Sequence, residues 1–173
     1  MGTGAGMSDS KLPDFQGGAE HASNVAVTAL SGANIIYESA GMYASLLSAC
    51  PESILLDNDA LGACMRMVKG LTVNKETLGF DVIKDVCLNL KGHYLGSDQT
   101  LDVMQTEYIY PEFYNRLSPG DWHDAGKPEA LSIATQKTEE ILSTHFPTHI
   151  SEEIDNKIRE KFPIHLSKKA IGR

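Results

Sequence analysis

The residues best suited to chemistry are concentrated between positions 92 and 122. This stretch holds four of the chain's six tyrosines and its only tryptophan, with acidic residues among them: Tyr94, Tyr108, Tyr110, Tyr114 and Trp122. An aromatic face beside a carboxylate is the arrangement that binds an organic cation. The same residues are also typical of a helix whose tyrosines pack half-buried on a neighbouring element. At this point the sequence leaves both interpretations open.

Composition narrows the classes of protein to consider. The chain has 173 residues, 42% of them hydrophobic, which is enough for one ordinary globular core. Its net charge of −8 disfavours nucleic-acid binding, which needs a basic surface, and suits attraction of small cations. No apolar run reaches the length of a membrane span, and residues 1–18 lack the basic start and apolar core of a signal peptide.

The cysteines indicate the compartment. Cys50, Cys64 and Cys87 are odd in number and stand among apolar residues, without the spacing of a metal site or a disulfide framework. Reduced, mostly packed thiols are typical of a cytoplasmic protein. We therefore expect a cytoplasmic protein with neither structural disulfides nor a metal centre.

The elements that must position these residues are mostly helices. Hydrophobic periodicity, caps and prolines predict helices over 19–31, 43–50, 51–69, 74–88, 97–110, 129–145 and 151–161. Only Asn34–Glu38 is a convincing strand, and weaker candidates lie at 2–6 and 71–73. A self-contained parallel sheet needs more strands to cover so many helices. The sequence therefore predicts either a mostly helical protein or a piece of a larger α/β barrel.

Four blocks of sequence agree in order and spacing with one known family. They are GMSDSKLPDFQGGAE (6–20), SGANIIYESAGM (31–42), Pro51-Glu52 with Leu56-Asp57, and GHYLG (92–96) with Gln99-Thr100-Leu101. EYIYP (107–111), Arg116, Ser118-Pro119 and Trp122 continue the pattern. In this combination the chain resembles the C-terminal part of the trimethylamine methyltransferase family, the corrinoid-dependent methylamine and glycine betaine methyltransferases.

The resemblance implies a fold. Family members are TIM-type (β/α)8 barrels, and this α/β chain would supply a helix-rich C-terminal portion of one, residues 1–125. Residues 126–173 would then form a C-terminal helical extension, where charged amphipathic helices follow Gly126. In such barrels the active site lies at the C-terminal ends of the strands.

The resemblance also implies a reaction. A methyl group would move from a methylated amine, trimethylamine or a quaternary amine such as glycine betaine, to the cobalt of a corrinoid carried by a separate partner protein. The enzyme would mainly orient the reactants in a suitable electrostatic environment. We expect the chain to be inactive alone, because it lacks the earlier strands, and to form a homo-oligomer or pair with a complementing chain. The alternative is a non-catalytic half-barrel module that binds a companion chain.

One departure from the family pattern concerns pyrrolysine. The trimethylamine enzymes of the family carry this residue, and no such residue stands in this sequence. Two explanations are open. The chain belongs to the branch without pyrrolysine, which acts on quaternary amines, or it follows an amber codon that was read as a stop.

On the barrel that the resemblance implies, the strand ends supply the first candidates for substrate binding. Asp9 and Gln16 follow the first weak strand, where barrel sites collect polar side chains, although turn formation and helix capping around Pro13 explain them equally well. Tyr37 and Glu38 end the strong strand and together offer an aromatic face and a carboxylate. Strand alternation predicts that only one of these two faces the pocket.

A later loop supplies two more candidates. His93 and Tyr94 stand between Gly92 and Gly96, which give the backbone freedom to approach a ligand. Here His93 would steady the substrate or the corrinoid. A loop histidine bonded to a nearby carbonyl is the competing interpretation.

Overall fold

The computed structural model describes residues 1–89, 92–147 and 149–172. The chain forms two compact units, Met1–Ala134 and Thr135–Arg173. The boundary predicted at residue 125 stays a prediction.

The first unit begins with a strand–helix–strand repeat. β1 (Gly2–Gly4) leads into α1 (Phe15–Leu30), and β2 (Ile35–Tyr37) returns parallel to β1, with Gly2 paired to Ile35 and Gly4 to Tyr37. The carboxylate of Asp14 caps α1 by accepting a hydrogen bond from the Gly17 amide. The strong strand, the weak strand at 2–6 and the first helix are thus confirmed. Because the strands are parallel, both carboxyl ends lie at one edge of the sheet.

The predicted helix over 43–50 is wrong. β3 (Met42–Tyr43) and β4 (Ser48–Ala49) form an antiparallel hairpin instead. Its turn places Ala44, Ser45 and Leu46 at φ values of 50°, 55° and 70°, in the left-handed region that an α-helix excludes. The amides of Ala44 and Ser45 donate to the carbonyls of Ser10 and Ser8, so long-range bonds replace the helical ones.

α2 (Pro51–Lys69) has the predicted bounds. Proline occupies its first turn, where no backbone amide partner is lost, and Arg66 and Lys69 lie in its last turn beside the negative end of the helix dipole. Gly70 ends the helix with a φ of 69°. Strong local signals therefore fixed both ends of this helix.

The middle of the chain contains shorter helices than predicted. α3 (Phe80–Leu88) begins late, because the Asn74 side chain accepts from the amides of Glu76 and Thr77 and Gly79 has a φ of 62°. α4 (Asp98–Met104) ends well before Tyr110. α5 (Pro119–Asp124), capped by Ser118, was not predicted. Within the described residues, 71–73 form no strand.

α6 (Ala130–Thr144) and α7 (Glu152–Lys161) match the two helices predicted near the end of the chain. Ser151 caps α7, whose first turn is acidic and whose last turn holds Arg159 and Lys161. A single 3-10 turn at Lys169–Ile171 follows. In the described part of the chain no helix has the length and apolar character of a membrane span.

Few apolar side chains of the described residues are buried. They are Ala5, Val25, Tyr43, Cys64, Val86, Phe113 and Ala134. The strands described form two separate two-stranded sheets, neither closed. Ile35 and Tyr37, which share one face of β2, are 67% and 56% exposed. The protein is therefore a helix-rich α/β chain in which one face of the parallel sheet is open.

Candidate functional site

The candidate site lies at the carboxyl edge of β1 and β2. Gly4 ends β1 directly beside Tyr37, its register partner on β2. A β-carbon placed on Gly4 would lie 3.1 Å from Cε2 of Tyr37, 3.2 Å from Oε2 of Glu38 and 3.6 Å from Cε of Met7. An aromatic edge, a carboxylate and a methyl group therefore come together above Gly4, with less room between them than a side-chain carbon needs.

Glu38 approaches Gly4 because of its backbone conformation. Simple alternation along β2 would place Tyr37 and Glu38 on opposite faces of the sheet. Glu38 has a φ of 62°, which is unfavourable for a residue with a side chain and turns its carboxylate to the same side as the Tyr37 ring. Both side chains thus approach the end of β1 from the same side, whereas simple alternation would separate them; their role as ligand-binding residues stays a prediction.

The loop after β1 is fixed by Glu20, on the second turn of α1. One carboxylate oxygen of Glu20 accepts from the Ser8 hydroxyl at 2.6 Å and from the Asp9 amide at 2.9 Å. The other oxygen accepts from Nε2 of Gln16 at 2.9 Å. The bonds from Ser8 and Gln16 hold the pKa of Glu20 below its usual value.

These contacts place the predicted residues Asp9 and Gln16. The carboxylate of Asp9 accepts from the hydroxyl of Ser45 at 2.6 Å, on the turn of the β3–β4 hairpin. Gln16 is bonded to Glu20, four residues along α1. Asp9 therefore joins the loop to the hairpin turn, and Gln16 supports the Glu20 carboxylate that holds the loop. Glu20 was not predicted as a site residue, although it ends the first of the blocks that resemble the family.

His21 and Asp57 form a buried pair behind this edge. Nδ1 of His21 lies 2.8 Å from Oδ2 of Asp57, and Nε2 lies 2.9 Å from the carbonyl oxygen of Met42. A carboxylate and a carbonyl can only accept, so both ring nitrogens must carry protons and the ring is an imidazolium. Burial lowers the pKa of His21, but the bonds to Asp57 and Met42 outweigh it and raise the pKa above its ordinary value.

Asp57 extends the pair into the segment that follows Glu38. Its Oδ2 also accepts from the Gly41 amide at 2.8 Å and from the Ser53 hydroxyl at 3.1 Å. Ser53 is bonded in turn to the Tyr43 hydroxyl at 2.9 Å, and the Tyr43 ring lies 4.7 Å from the His21 ring. The network joins α1, α2 and residues 41–43. Neither His21 nor Asp57 was singled out as functional in the sequence.

His93 and Tyr94 are exposed residues on the approach to α4. The Tyr94 carbonyl accepts from the amide of Ser97 at 3.0 Å and from its hydroxyl at 2.9 Å, which forms the turn that starts the helix. Desolvation, together with a hydrogen bond to Cys87, raises the pKa of the Tyr94 phenol. Their role as ligand-binding residues stays a prediction.

Part of the aromatic stretch packs onto α2. The Asp59 carboxylate, buried in α2, accepts from the amides of Glu112, Phe113 and Tyr114 at 2.7–3.0 Å. Upstream, the guanidinium of Arg66 pairs with the carboxylate of Glu107. These bonds attach residues 107–114 to α2 through backbone amides and Glu107. The segment is not a helix, and Tyr108 and Tyr110 are each 63% exposed, so neither the packed helix nor the cation site is confirmed.

Comparison with known proteins places the chain among methyltransferases. The family model described as trimethylamine methyltransferase matches residues 1–169. A trimethylamine methyltransferase, MttB, of Methanosarcina barkeri (strain Fusaro / DSM 804) is 33% identical over 147 residues, 85% of this chain and 29% of the relative. The MttB of Desulfitobacterium hafniense (strain DSM 10664 / DCB-2) is 32% identical over 154 residues, 89% of this chain and 30% of the relative.

A relative named for a different substrate is also similar. The glycine betaine methyltransferase of Desulfitobacterium hafniense (strain Y51) is 27% identical over 157 residues, 91% of this chain and 32% of the relative. The chain therefore spans under a third of the length of these relatives.

Proposed function

The chain belongs to the trimethylamine methyltransferase family, and we propose that it supplies part of the substrate site of a corrinoid-dependent methyltransferase acting on a methylated amine. Trimethylamine and glycine betaine, the substrates in the relatives' names, share a nitrogen that carries methyl groups and is positively charged when quaternary or protonated. The observation that carries the proposal is the meeting of the exposed Tyr37 ring and the Glu38 carboxylate at the end of β2. An aromatic edge and a carboxylate beside one another suit an ammonium ion.

Tyr37 and Glu38 would bind and orient the substrate. The nitrogen loses its positive charge as the carbon–nitrogen bond breaks, so a carboxylate beside it stabilises the bound substrate more than the product. Its contribution is therefore orientation of the methyl group toward the acceptor. Asp9 and Gln16 would support this geometry, since their bonds to Ser45 and Glu20 fix the loop beside the site. His93 and Tyr94 would contact substrate or corrinoid from the loop before α4.

The acceptor would be a corrinoid carried by a partner protein. Gly2 and Gly4 have no side chain on the open face of the sheet, and Ile35 and Tyr37 are exposed there, so the face suits a flat group delivered from outside. When bound, the corrinoid would supply the cobalt(I) nucleophile that serves as methyl acceptor, and Tyr37 and Glu38 would hold the amine that is released.

The fold would be the C-terminal portion of a TIM-type barrel. β1, α1 and β2 form the parallel strand–helix–strand unit from which such barrels are built, and the sheet edges seen here would continue into further strands. Because the chain spans under a third of its relatives, catalysis would require the remaining barrel strands from a complementing chain or a longer polypeptide. The chain alone would be inactive.

The test is reconstitution. The purified chain is mixed with a polypeptide carrying the rest of the barrel, taken from the M. barkeri relative, together with reduced corrinoid protein and trimethylamine or glycine betaine. Methyl-cobalt formation is followed by absorbance. We expect turnover only when both polypeptides are present, and Glu38→Gln should reduce it. Failure of a folded, associated pair to turn over either amine would overturn the proposed function, and turnover by the chain alone would overturn the requirement for the missing strands.

A second function is supported by the exposed apolar surface. Large side chains such as Phe15, Val27 and Leu47 are 92%, 69% and 89% exposed, which favours a non-catalytic half-barrel module that pairs with a companion chain or a second copy. In that case association would occur in the same reconstitution, and Glu38→Gln would leave the activity of the assembled enzyme unchanged.

A further inference from the structure

We infer that His21 is a proton-dependent latch between the β3–β4 hairpin and the loop after β1, residues 5–14. The latch is closed while both ring nitrogens carry protons, and it opens at the Met42 carbonyl when Nε2 loses its proton. The inference goes beyond the proposed function and does not depend on it, because the latch is a property of the fold of the first unit.

The Met42 carbonyl is the point at which the hairpin meets both α1 and the loop. It accepts one hydrogen bond from Nε2 of His21 at 2.9 Å and a second from the Ser8 amide at 3.0 Å. Met7, beside Ser8 in the loop, also forms a parallel bridge with Met42. Ser8 is only 2% exposed, so its amide needs a partner within the protein. A movement of this one carbonyl therefore loosens the loop.

The two acceptors that face the ring decide which bond is lost on deprotonation. A neutral histidine keeps one N–H group and presents a lone pair at the other nitrogen. Nδ1 faces the Asp57 carboxylate, whereas Nε2 faces the neutral carbonyl of Met42. Because a hydrogen bond to an ionised acceptor is the stronger one, the remaining proton stays on Nδ1. The Nε2 lone pair then faces the Met42 oxygen, and the two acceptors repel each other.

The other ionisable groups around the ring come from α1, α2 and β3. Burial disfavours the imidazolium, while Asp57 on α2 and Glu20 on α1 favour it. The Tyr43 ring on β3 lies 4.7 Å from the His21 ring, and the Cys64 thiol lines the same small cavity between α1 and α2. Burial raises the pKa of both Tyr43 and Cys64 above their already alkaline ordinary values. Near neutral pH these two groups are therefore uncharged, and the charge that changes is that of His21.

The hairpin turn depends on its contacts with the loop. Residues 44–46 all have left-handed backbones, a conformation that persists only where the surrounding structure enforces it. The amide of Ala44 donates to the carbonyl of Ser10 at 2.9 Å, so part of this enforcement comes from the loop. Because the turn begins two residues after Met42, release of the Met42 carbonyl loosens the turn and the loop together.

The ring nitrogens of His21 report the proton directly. The full chain, with isotope-labelled histidine, is titrated from about pH 6 to about pH 9 and the ring nitrogens are followed by NMR. We expect both nitrogens of His21 to be protonated at the lower end and Nδ1 alone to keep its proton at the upper end. His123, an exposed histidine 3.6 Å from the Asp124 carboxylate, is the reference in the same spectra.

Hydrogen exchange in the same pH series measures the opening. Exchange rates, corrected for the intrinsic effect of pH, are compared at three amides: Ser8, bonded to the Met42 carbonyl, Gly41, bonded to Asp57, and Leu61, inside α2. Leu61 reports unfolding of the whole unit. Because opening at Met42 is linked to the loss of one proton, we expect the protection of Ser8 to fall about tenfold or more relative to that of Leu61. Gly41, whose acceptor does not move, should follow Leu61.

Two substitutions separate the latch from other titrations. His21→Gln lacks the titrating ring, so the ratio of Ser8 to Leu61 protection should no longer change with pH, whereas His123→Gln should keep the wild-type profile. A parallel change of Ser8 and Leu61 in the wild type would reduce His21 to a contribution to overall stability and overturn the latch. A His21 ring that stays doubly protonated throughout, or that loses its proton from Nδ1, would overturn it as well. Both of these contrary results are read from the wild-type chain, so they do not require either variant to fold.

Discussion

Nδ1 of His21, on α1, lies 2.8 Å from Oδ2 of Asp57, on α2, and both side chains are almost fully buried. The other ring nitrogen meets the Met42 carbonyl, so the histidine is held as a cation between a carboxylate and a carbonyl. The same Asp57 oxygen binds the Gly41 amide. One buried pair thus fixes the two long helices of the first unit and the segment that leaves the Tyr37–Glu38 strand end.

Removing the negative charge of this pair should be costly. Asp57→Asn leaves the His21 imidazolium without its counter-charge, and breaking a buried ion pair from one side typically costs about 3–5 kcal/mol. We expect a loss of this order, measured by urea unfolding followed with circular dichroism. Asp102→Asn on α4, an exposed carboxylate, is the control and should change stability by less than about 0.5 kcal/mol. A loss below 1 kcal/mol in Asp57→Asn would contradict an ionised pair.

The pair also predicts a pH dependence. The pKa of His21 is raised in the folded protein, so its contribution to the free energy of unfolding is complete below the unfolded value of about 6.5 and is lost as the pH rises through the folded pKa. Urea unfolding at a series of pH values above 6.5 should show declining stability. His21→Gln should remove this decline, and a wild-type profile identical to that of the variant would rule out the raised pKa.

We expect Glu20 to hold the loop after β1 in place. Glu20→Ala removes the acceptor for Ser8, for the Asp9 amide and for Gln16. We therefore expect faster hydrogen exchange at the Asp9 amide and lower stability of the protein. Glu139→Ala, on the exposed side of α6, is the matched control. Unchanged protection at Asp9 would show that Glu20 does not hold the loop.

The sign of the stability change caused by one substitution distinguishes the hairpin turn from a helix. Ala44 has a φ of 50°, so Ala44→Gly should relieve left-handed strain and stabilise the protein by about 1 kcal/mol. In a helix the same change would destabilise by about 1 kcal/mol. Ala63→Gly, at an exposed position of α2, gives that helical reference. If both substitutions lowered the melting temperature, the result would contradict the hairpin turn and support the predicted helix over 43–50.

Local sequence signals were sufficient to predict elements whose ends are set by proline, glycine or a short apolar run. Pro51 and Gly70 bound α2, and the apolar run before Tyr37 forms β2 as predicted. The hairpin at 42–49 was not predictable in this way, because bonds from Ala44 and Ser45 to Ser10 and Ser8 override a helical pattern. These partners are more than thirty residues apart in the sequence.

The candidate site was likewise predictable from local signals only in part. Tyr37 and Glu38 were recognisable by residue type at the end of a strand, but their meeting on one face depends on the left-handed backbone of Glu38, which residue type does not reveal. His21 and Asp57 are 36 residues apart, and nothing in their local sequence indicates that they meet. Side-chain chemistry was therefore readable from the sequence, whereas the relations that orient it come from tertiary contacts.

The most direct test of the central claim is binding of a methylated ammonium ion at Tyr37 and Glu38. Tetramethylammonium is titrated into the wild-type chain, Glu38→Gln and the control Glu139→Gln, with the Tyr37 ring observed by NMR. We predict saturable shifts in the wild type and control, and about tenfold or greater weakening in Glu38→Gln, because the carboxylate that balances the cation is lost. Equal binding by all three proteins, or no saturable shift at Tyr37 in the folded wild type, would contradict an ammonium site at this edge.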